Sequence, residues 1–291
     1  MRTGFTYKGK HSSLFGLCAA TKSRQILPPR RSNYADVPLR DGNIDFSAAN
    51  EYGRAFYEKR TFSAAIYIRA IDIGELQNKI TDCAAWLCGS GELIFDDMPL
   101  CVWDAAVVNG IDYAPELSGT KAVISVSFEA EPYSRGLFNA ARGVYLGDDI
   151  PIGARVPMGL ETVLSHTLSV TSTSSEYILS FTNAGSAYAR PHIFIERAAD
   201  DEAIGDVAVS CGSLPKRTLK CEGMAASDIE LDLENFILWD GTTNKTGMLS
   251  GGFFELAPGV NKLGFKFSKT GNYVITVDYT PRFIYGADYN I

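Results

Sequence analysis

The cleanest periodicity in the chain is a strict alternation over residues 121–131 (KAVISVSFEAE). Ile124, Val126, Phe128 and Ala130 point one way; Ser125, Ser127, Glu129 and Glu131 point the other. A period of two is that of a half-buried strand. Residues 62–71 (FSAAIYIRAI) read as a second strand, rich in β-branched and aromatic side chains. Between them the period becomes helical. Residues 72–88 (DIGELQNKITDCAAWLC) carry Ile73, Leu76, Ile80, Ala84 and Leu87 at spacings of three and four, which predicts one apolar stripe. Asp72 is placed as N-cap with Glu75 three residues on, as in a capping box, and Gly89 is placed to end the helix. Trp86 and Leu87 read as core. Residues 92–96, a turn around Asp97-Met98-Pro99, and residues 101–108 read as a β-hairpin. Residues 1–45 read as short strands and irregular connections, with Pro28-Pro29-Arg30-Arg31 extended and a turn at Asp41-Gly42.

From about residue 137 the pattern changes to short strand-like runs separated by turns. They fall at 144–146, 162–170, 177–181, 192–196, 207–211, 218–221, 229–233, 236–238, 253–256, 262–267 and 273–279. Dense short strands without a strong helix are the mark of a β-sandwich or jelly roll. Ala257-Pro258-Gly259-Val260 fits a type II turn, and Lys269-Thr270-Gly271-Asn272 reads as the last hairpin turn. The chain is thus expected to be mainly β with one helix: an α+β domain over residues 1–135 and a β-sandwich over residues 136–291.

Composition fits two ordinary globular domains, with 46% hydrophobic and 21% charged residues in a chain of 291. No run reaches 18 apolar residues and the N-terminus lacks the apolar core of a signal peptide, so synthesis and folding in a cytoplasm are expected. The net charge of −7 is uneven. Residues 1–60 hold 11 Lys/Arg against 5 Asp/Glu, and the remainder 16 against 29. An acidic body argues against duplex DNA binding as the main task; the basic head suits an acidic partner surface or a solvated segment, and charge alone favours the latter. None of the six cysteines forms a CxxC pair, so they read as reduced, mostly buried thiols, with a Cys211–Cys221 disulfide as the minor alternative.

Motifs for chemistry are missing. The three histidines, His11, His166 and His192, form no HExxH, and neither GxSxG nor GxxxxGK[ST] occurs. Paired acids at Asp96/Asp97, Asp148/Asp149 and Asp200/Asp201/Glu202 sit in expected turns; Glu230/Asp232/Glu234 share one strand face. No pair stands out as a glycosidase couple. No catalytic residue, metal or cofactor is assigned, and the chain is read as no enzyme. Tyr177, Tyr188 and Trp239 are the candidates for stacking a sugar on the second domain.

A set of ordered segments resembles siphophage distal tail proteins. It begins with residues 4–17 (GFTYKGKHSSLFGL), followed by Pro28-Pro29-Arg30-Arg31. Residues 37–42 (VPLRDG) resemble a "vpgrdG" segment, with Leu39 in place of glycine. The strand–helix order ending in Trp86-Leu87 is similar, as are residues 91–97 (GELIFDD) and 126–133 (VSFEAEPY). Near the end come residues 254–261 (FELAPGVN) and 277–282 (VDYTPR).

The resemblance implies a virion tail-tip or baseplate component, built in a bacterial host. It implies a homo-hexameric ring of N-terminal domains, with galectin-like jelly-roll domains projecting outward. The ring would join the major tail tube protein to the tail-tip hub, position receptor-binding proteins for host adsorption, and let DNA pass without specific binding. A closed ring needs a heterologous interface. Residues 28–60, extended, basic and poor in apolar residues for a private core, are expected to supply part of it, with Arg30, Arg31, Arg40 and Arg54 facing a neighbour's carboxylates. A channel lining that is acidic or neutral would let DNA slide. The main rival is a carbohydrate-binding adhesin that grips host cell-wall saccharide through the second domain. A wall hydrolase is the third class.

Overall fold

The computed structural model describes residues 4–15, 18–116, 119–136, 164–198, 202–212 and 216–286. The chain divides into two compact units: Met1–Leu137 with Phe283–Ala287, and Phe138–Arg282 with Asp288–Ile291.

In the first unit the strands are β1 (Phe5–Tyr7), β2 (Lys10–His11), β3 (Cys18–Arg24), β4 (Tyr34–Ala35), β5 (Ile44–Asp45), β6 (Arg60–Arg69), β7 (Ser90–Phe95), β8 (Met98–Val107), β9 (Asp112–Pro115), β10 (Lys121–Ala130) and β11 (Ser134–Gly136). Helix α1 (Ile73–Leu87) lies between β6 and β7. The sheet runs β2-β1-β7-β8-β10-β6-β3. Its spine is the ten-residue antiparallel pairing of β6 with β10, in which Phe128 faces Phe62 and Ile124 faces Ile66. The alternation expected over residues 121–131 holds: Ala122, Ile124, Val126, Phe128 and Ala130 are all buried.

Helix α1 follows its sequence signals with two differences. The Glu75 amide donates to the Asp72 side chain at 2.8 Å, but the Glu75 carboxylate accepts from the Ile71 amide at 2.6 Å, one residue ahead of the N-cap. The buried face is Leu76, Cys83, Trp86 and Leu87, whereas Ile73 and Ala84, both expected in the stripe, are exposed. The helix rolls towards the indole of Trp86. That ring stacks on Phe15 at 4.3 Å and on Phe5 at 5.6 Å, and its N–H donates to the Tyr7 carbonyl at 2.8 Å. At the other end Gly89 takes φ +88, and the Lys8 ammonium donates to the Cys88 carbonyl at 2.7 Å, where the helix dipole favours a cation.

The β7–β8 hairpin is tighter than expected. Phe95 pairs with Met98, so Asp96 and Asp97 form the turn and Pro99 lies within β8. Both acids hold other segments. The Asp96 carboxylate accepts from the Gly4 amide at 2.8 Å, and Asp97 takes both arms of Arg24 at 2.9 and 2.7 Å.

In the second unit the strands are β12 (Leu164–Val170), β13 (Tyr177–Asn183), β14 (His192–Ala198), β15 (Gly205–Cys211), β16 (Arg217–Met224), β17 (Asp228–Asp232), β18 (Ile237–Asp240), β19 (Thr243–Asn244), β20 (Leu249–Gly251), β21 (Gly259–Phe267) and β22 (Gly271–Asp278). They form a six-stranded sheet, β12-β22-β14-β17-β18-β19, and a five-stranded sheet, β13-β21-β15-β16-β20. One apolar cluster draws Ile193, Ile195 and Ile275 from the first sheet and Val209, Leu263 and Phe265 from the second. Two sheets sharing one core make a β-sandwich, as the strand spacing predicts.

Two expectations change here, and Cys211 and Cys221 follow the leading reading of the cysteines as buried thiols. The turn at residues 269–272 is not a hairpin, because β21 and β22 belong to different sheets; it crosses the sandwich, and Phe267 stacks on Tyr273 inside it at 4.1 Å. Residues 253–256 form no strand; an isolated Ala189–Leu256 bridge and hydrogen bonds from Arg217 and Asn183 hold them, with Phe254 and Leu256 in the core. Cys211 and Cys221 are free and buried. The β15–β16 register sets Cys211 opposite Arg217 and Cys221 opposite Val207, four positions or about 13 Å apart along the hairpin. At the Pro258 bend leading into β21, Gly259 takes φ +86, the conformation that the expected type II turn needs at its third position. Buried Asn261 clasps it by donating to the Ala257 and Gly259 carbonyls, both at 2.8 Å, and accepting from the Ala257 amide at 3.0 Å. The run expected at 144–146 lies outside the described residues.

Candidate functional site

Most of the described acids and histidines weighed for chemistry are used in holding the fold. His11 sits between Ser13 at 2.7 Å and Asp96 at 3.1 Å. His166 is exposed on β12, and His192 lies 2.7 Å from the Glu230 carboxylate. Asp232 accepts from the Asn235 amide and side chain at 2.9 and 2.7 Å, which closes the β17–β18 turn; Glu234 pairs with Arg282 and Glu202 with Arg197. Asp148, Asp149, Asp200 and Asp201 lie outside the described residues. Among the described residues no group of three or more His, Cys, Asp or Glu is placed to hold a metal ion.

The four arginines singled out in the sequence lie on one excursion that leaves the sheet after β3 and rejoins it at β6. Its two legs pair with each other. Arg30 and Tyr57 form an isolated bridge, the Arg31 amide donates to the Phe56 carbonyl at 2.8 Å, and the Glu58 amide donates to the Pro29 carbonyl at 2.7 Å. The tip folds back as the β4–β5 hairpin, with Tyr34 facing Asp45 and Ala35 facing Ile44. The side chains brace this arm. Arg30 lies 3.1 Å from Asp45 and Arg31 3.0 Å from Glu58 on the opposite leg. The Arg54 guanidinium lies over the Phe56 ring at 4.7 Å. Arg40 stands exposed at the end of the turn that starts at Val37. The arm also exposes apolar side chains to which the sequence reading assigned no role, Ile26, Leu27, Tyr34 and Phe46, together with Leu39, which stands entirely in solvent at 109%.

Tyr177, Tyr188 and Trp239 do not converge. Tyr177 is on β13 in the five-stranded sheet, packs against the core, and accepts from the Thr171 amide at 3.1 Å. Tyr188 is half-buried in the connection before β14. Trp239, on β18 of the six-stranded sheet, stands between buried Leu238 and Asp240 and so faces away from the core.

One residue at the root of the arm was missed. Arg60 is fully buried, and its guanidinium donates to the carbonyls of Gln25 at 3.2 Å, Ile284 at 2.6 Å and Pro132. It thus ties the start of the arm, the chain after β10 and the returning C-terminal segment of the same unit. Burial pushes its pKa down to about 10, against the pull of Tyr285 and Tyr133. The phase of β6 carries the signal: Arg60 is in step with Phe62, Ala64, Ile66 and Ile68, so the alternation alone places it inside.

Three comparisons bear on what these units are. No curated protein matches the chain. In a search of solved structures, the SPP1 Dit (gp 19.1) protein, a paradigm of hub adsorption apparatus in phages infecting Gram-positive bacteria, aligns with TM-score 0.63 at 13% identity, over 97% of this chain and 99% of its own. A fructofuranosidase from Schwanniomyces occidentalis overlaps at TM-score 0.20 and 6% identity, over 87% of this chain and 59% of its own, and carries no argument. Residues 16–130 match the family model of the phage tail protein RIFT-related domain. The likeness to siphophage distal tail proteins carried by scattered motifs therefore holds at two levels, a phage tail family match across most of the first unit and a fold shared with SPP1 Dit across nearly the whole chain.

Proposed function

We propose that this chain is a structural component of a bacteriophage tail tip, closing as a hexameric ring that joins the tail tube to the tail-tip hub. In this reading it is not an enzyme. Its second domain is galectin-like and projects from the ring, and its partners are the tube, the hub and the receptor-binding proteins. The family match and the shared fold support a tail role. The observation that carries self-assembly is the arm between β3 and β6, whose legs pair with each other while its apolar side chains Ile26, Leu27, Tyr34, Leu39 and Phe46 are exposed. Exposed apolar groups clustered on one excursion mark an interaction surface. The occupant is a second copy of the chain, because a ring repeats one contact between identical subunits.

The paired arginines shift the emphasis of that contact. Arg30 and Arg31 hold the arm's shape through Asp45 and Glu58, and the apolar side chains are what a neighbour covers. Sedimentation velocity and electron microscopy of the full chain test this. Tyr34→Ser, Leu39→Ser and Phe46→Ser together should abolish six-fold rings while leaving the folded monomer intact. Replacing Arg30, Arg31, Arg40 and Arg54 by Ser should lower ring yield less. Rings that persist undiminished in both variants rule the arm out as the interface.

A second reading, a carbohydrate-binding adhesin, is favoured by one observation, the outward face of Trp239.

A further inference from the structure

We infer that the outer face of the six-stranded sheet is a saccharide-binding platform centred on Trp239, Glu230 and Phe194; this rests on the adhesin reading and names its site. The register builds it. Buried Ile193, Ile195, Ile229, Leu231 and Leu238 turn one side of β14, β17 and β18 into the core, so their alternate neighbours share the other side. Across that side the pairing lines up Thr276, Phe194, Glu230, Trp239 and Asn244 in a single row from β22 to β19. Phe194 is 38% exposed and Trp239 half-buried. Two strand spacings separate them, about 10 Å, with the Glu230 carboxylate between. The His192 ring lies 4.4 Å from that of Phe194, and its Nε2 is 2.7 Å from Glu230.

This alternation suits a chain of neutral sugar rings. A pyranose presents a face of C–H groups to an aromatic ring and an equatorial rim of hydroxyls that donate to carboxylates. Aromatic side chains supply the area and polar groups fix orientation. Two rings separated by two strand spacings, with an acceptor midway, match the scale of a disaccharide unit. The charge on the same face selects further. Glu196, Asp228, Asp232 and Asp278 stand on the outward positions of the neighbouring rows, so a phosphate or sulfate polymer is repelled. The alternation of aromatic and carboxylate groups gives a second protein no continuous apolar surface to cover. A cationic peptide is the competing occupant, and the experiment separates it.

Trp86 and Trp103 are buried, at 5% and 0% exposure, which leaves Trp239 as the reporter among the three tryptophans. The full chain is titrated with soluble tetramers of glucose, galactose and N-acetylglucosamine, and with tetralysine. Tryptophan emission and acrylamide quenching are read alongside calorimetry. Binding of at least one neutral tetramer should shield the indole from acrylamide. Trp239→Ala and the isosteric Glu230→Gln should each weaken that binding at least tenfold, while inward-facing Tyr177→Phe leaves it unchanged. Sugar binding that survives both substitutions overturns this site and leaves the adhesin reading standing. No heat or quenching change with any tetramer overturns both. A response to tetralysine alone overturns the saccharide assignment.

Discussion

At the scale of single residues, Leu39 carries the sharpest tension between conformation and composition. The Arg40 amide donates to the Val37 carbonyl at 3.2 Å with Pro38 next in line, and Leu39 takes φ +68. A type II turn asks for glycine at that third position, and an L-residue there costs about 1–2 kcal/mol. Holding a fully exposed leucine in that conformation makes sense where the side chain has a partner to meet. Leu39→Gly should therefore stabilise the isolated monomer by about 1 kcal/mol, seen as a higher urea midpoint, while it weakens ring formation. A lower midpoint would show that the turn is not strained. The sequence pointed at this position as a departure from a glycine-bearing pattern, but the conformation that makes the departure costly is a property of the turn. The direction of Trp239 and the burial of Arg60 were both readable from strand phase. The partners of Arg30 and Arg31 were not: Asp45 and Glu58 lie 15 and 27 positions away, on segments with no periodicity to announce that they pair.

At the scale of elements, what the chain spells locally is what it forms. Strand β10 follows its period because a buried face is enforced along its whole length. Helix α1 forms where its period and N-cap place it but buries Cys83 and Trp86 instead of Ile73 and Ala84, and the clasped bend leading into β21 follows its Pro-Gly pair. Sheet membership was illegible: a tight Gly-containing turn reads the same whether it joins neighbours in one sheet or crosses between two, as residues 269–272 do. Strands β19 and β20 are two and three residues long and leave no pattern. The end of β18 shows how such short pieces are held. Buried Asp240 accepts from the Ala225 and Ala226 amides at 2.9 and 2.8 Å, and from the Lys245 ammonium at 2.7 Å. Burial by itself raises this carboxyl's pKa, but the bonds from Lys245, Ala225 and Ala226 outweigh it and hold the group below its usual value. A carboxyl lowered on folding stabilises the fold above its unfolded pKa of about 4, and that contribution fades as the pH falls through the folded value. Asp240→Asn should therefore cost about 1–3 kcal/mol at pH 7, and the gap between variant and parent urea midpoints should shrink towards pH 3. A gap of equal size at both pH values would mean that the ionised form is not what holds these connections.

At the scale of the whole molecule, charge and apolar surface make opposite forecasts for assembly. The balance is +6 over residues 1–60 and −13 over the rest, on a chain of net −7. Were ring closure driven by the basic head meeting an acidic neighbour, added salt would weaken it. Arg30 and Arg31 are already paired with Asp45 and Glu58 inside their own arm, however, so these two cations are not the ones a neighbour's acids would meet. Copies of net charge −7 repel one another, and in the proposed ring the contact that would overcome this is the apolar set at Tyr34, Leu39 and Phe46. Salt then screens the repulsion and leaves the apolar contact in place. Raising NaCl from about 0.1 M to about 1 M shortens the screening length from about 10 Å to about 3 Å. Over that range the ring fraction of the full chain, read by sedimentation velocity at fixed protein concentration, should hold or rise. A ring fraction that falls steeply with salt would return the interface to charge pairing. The four-arginine variant, and not the apolar one, would then be the substitution that dissolves the ring.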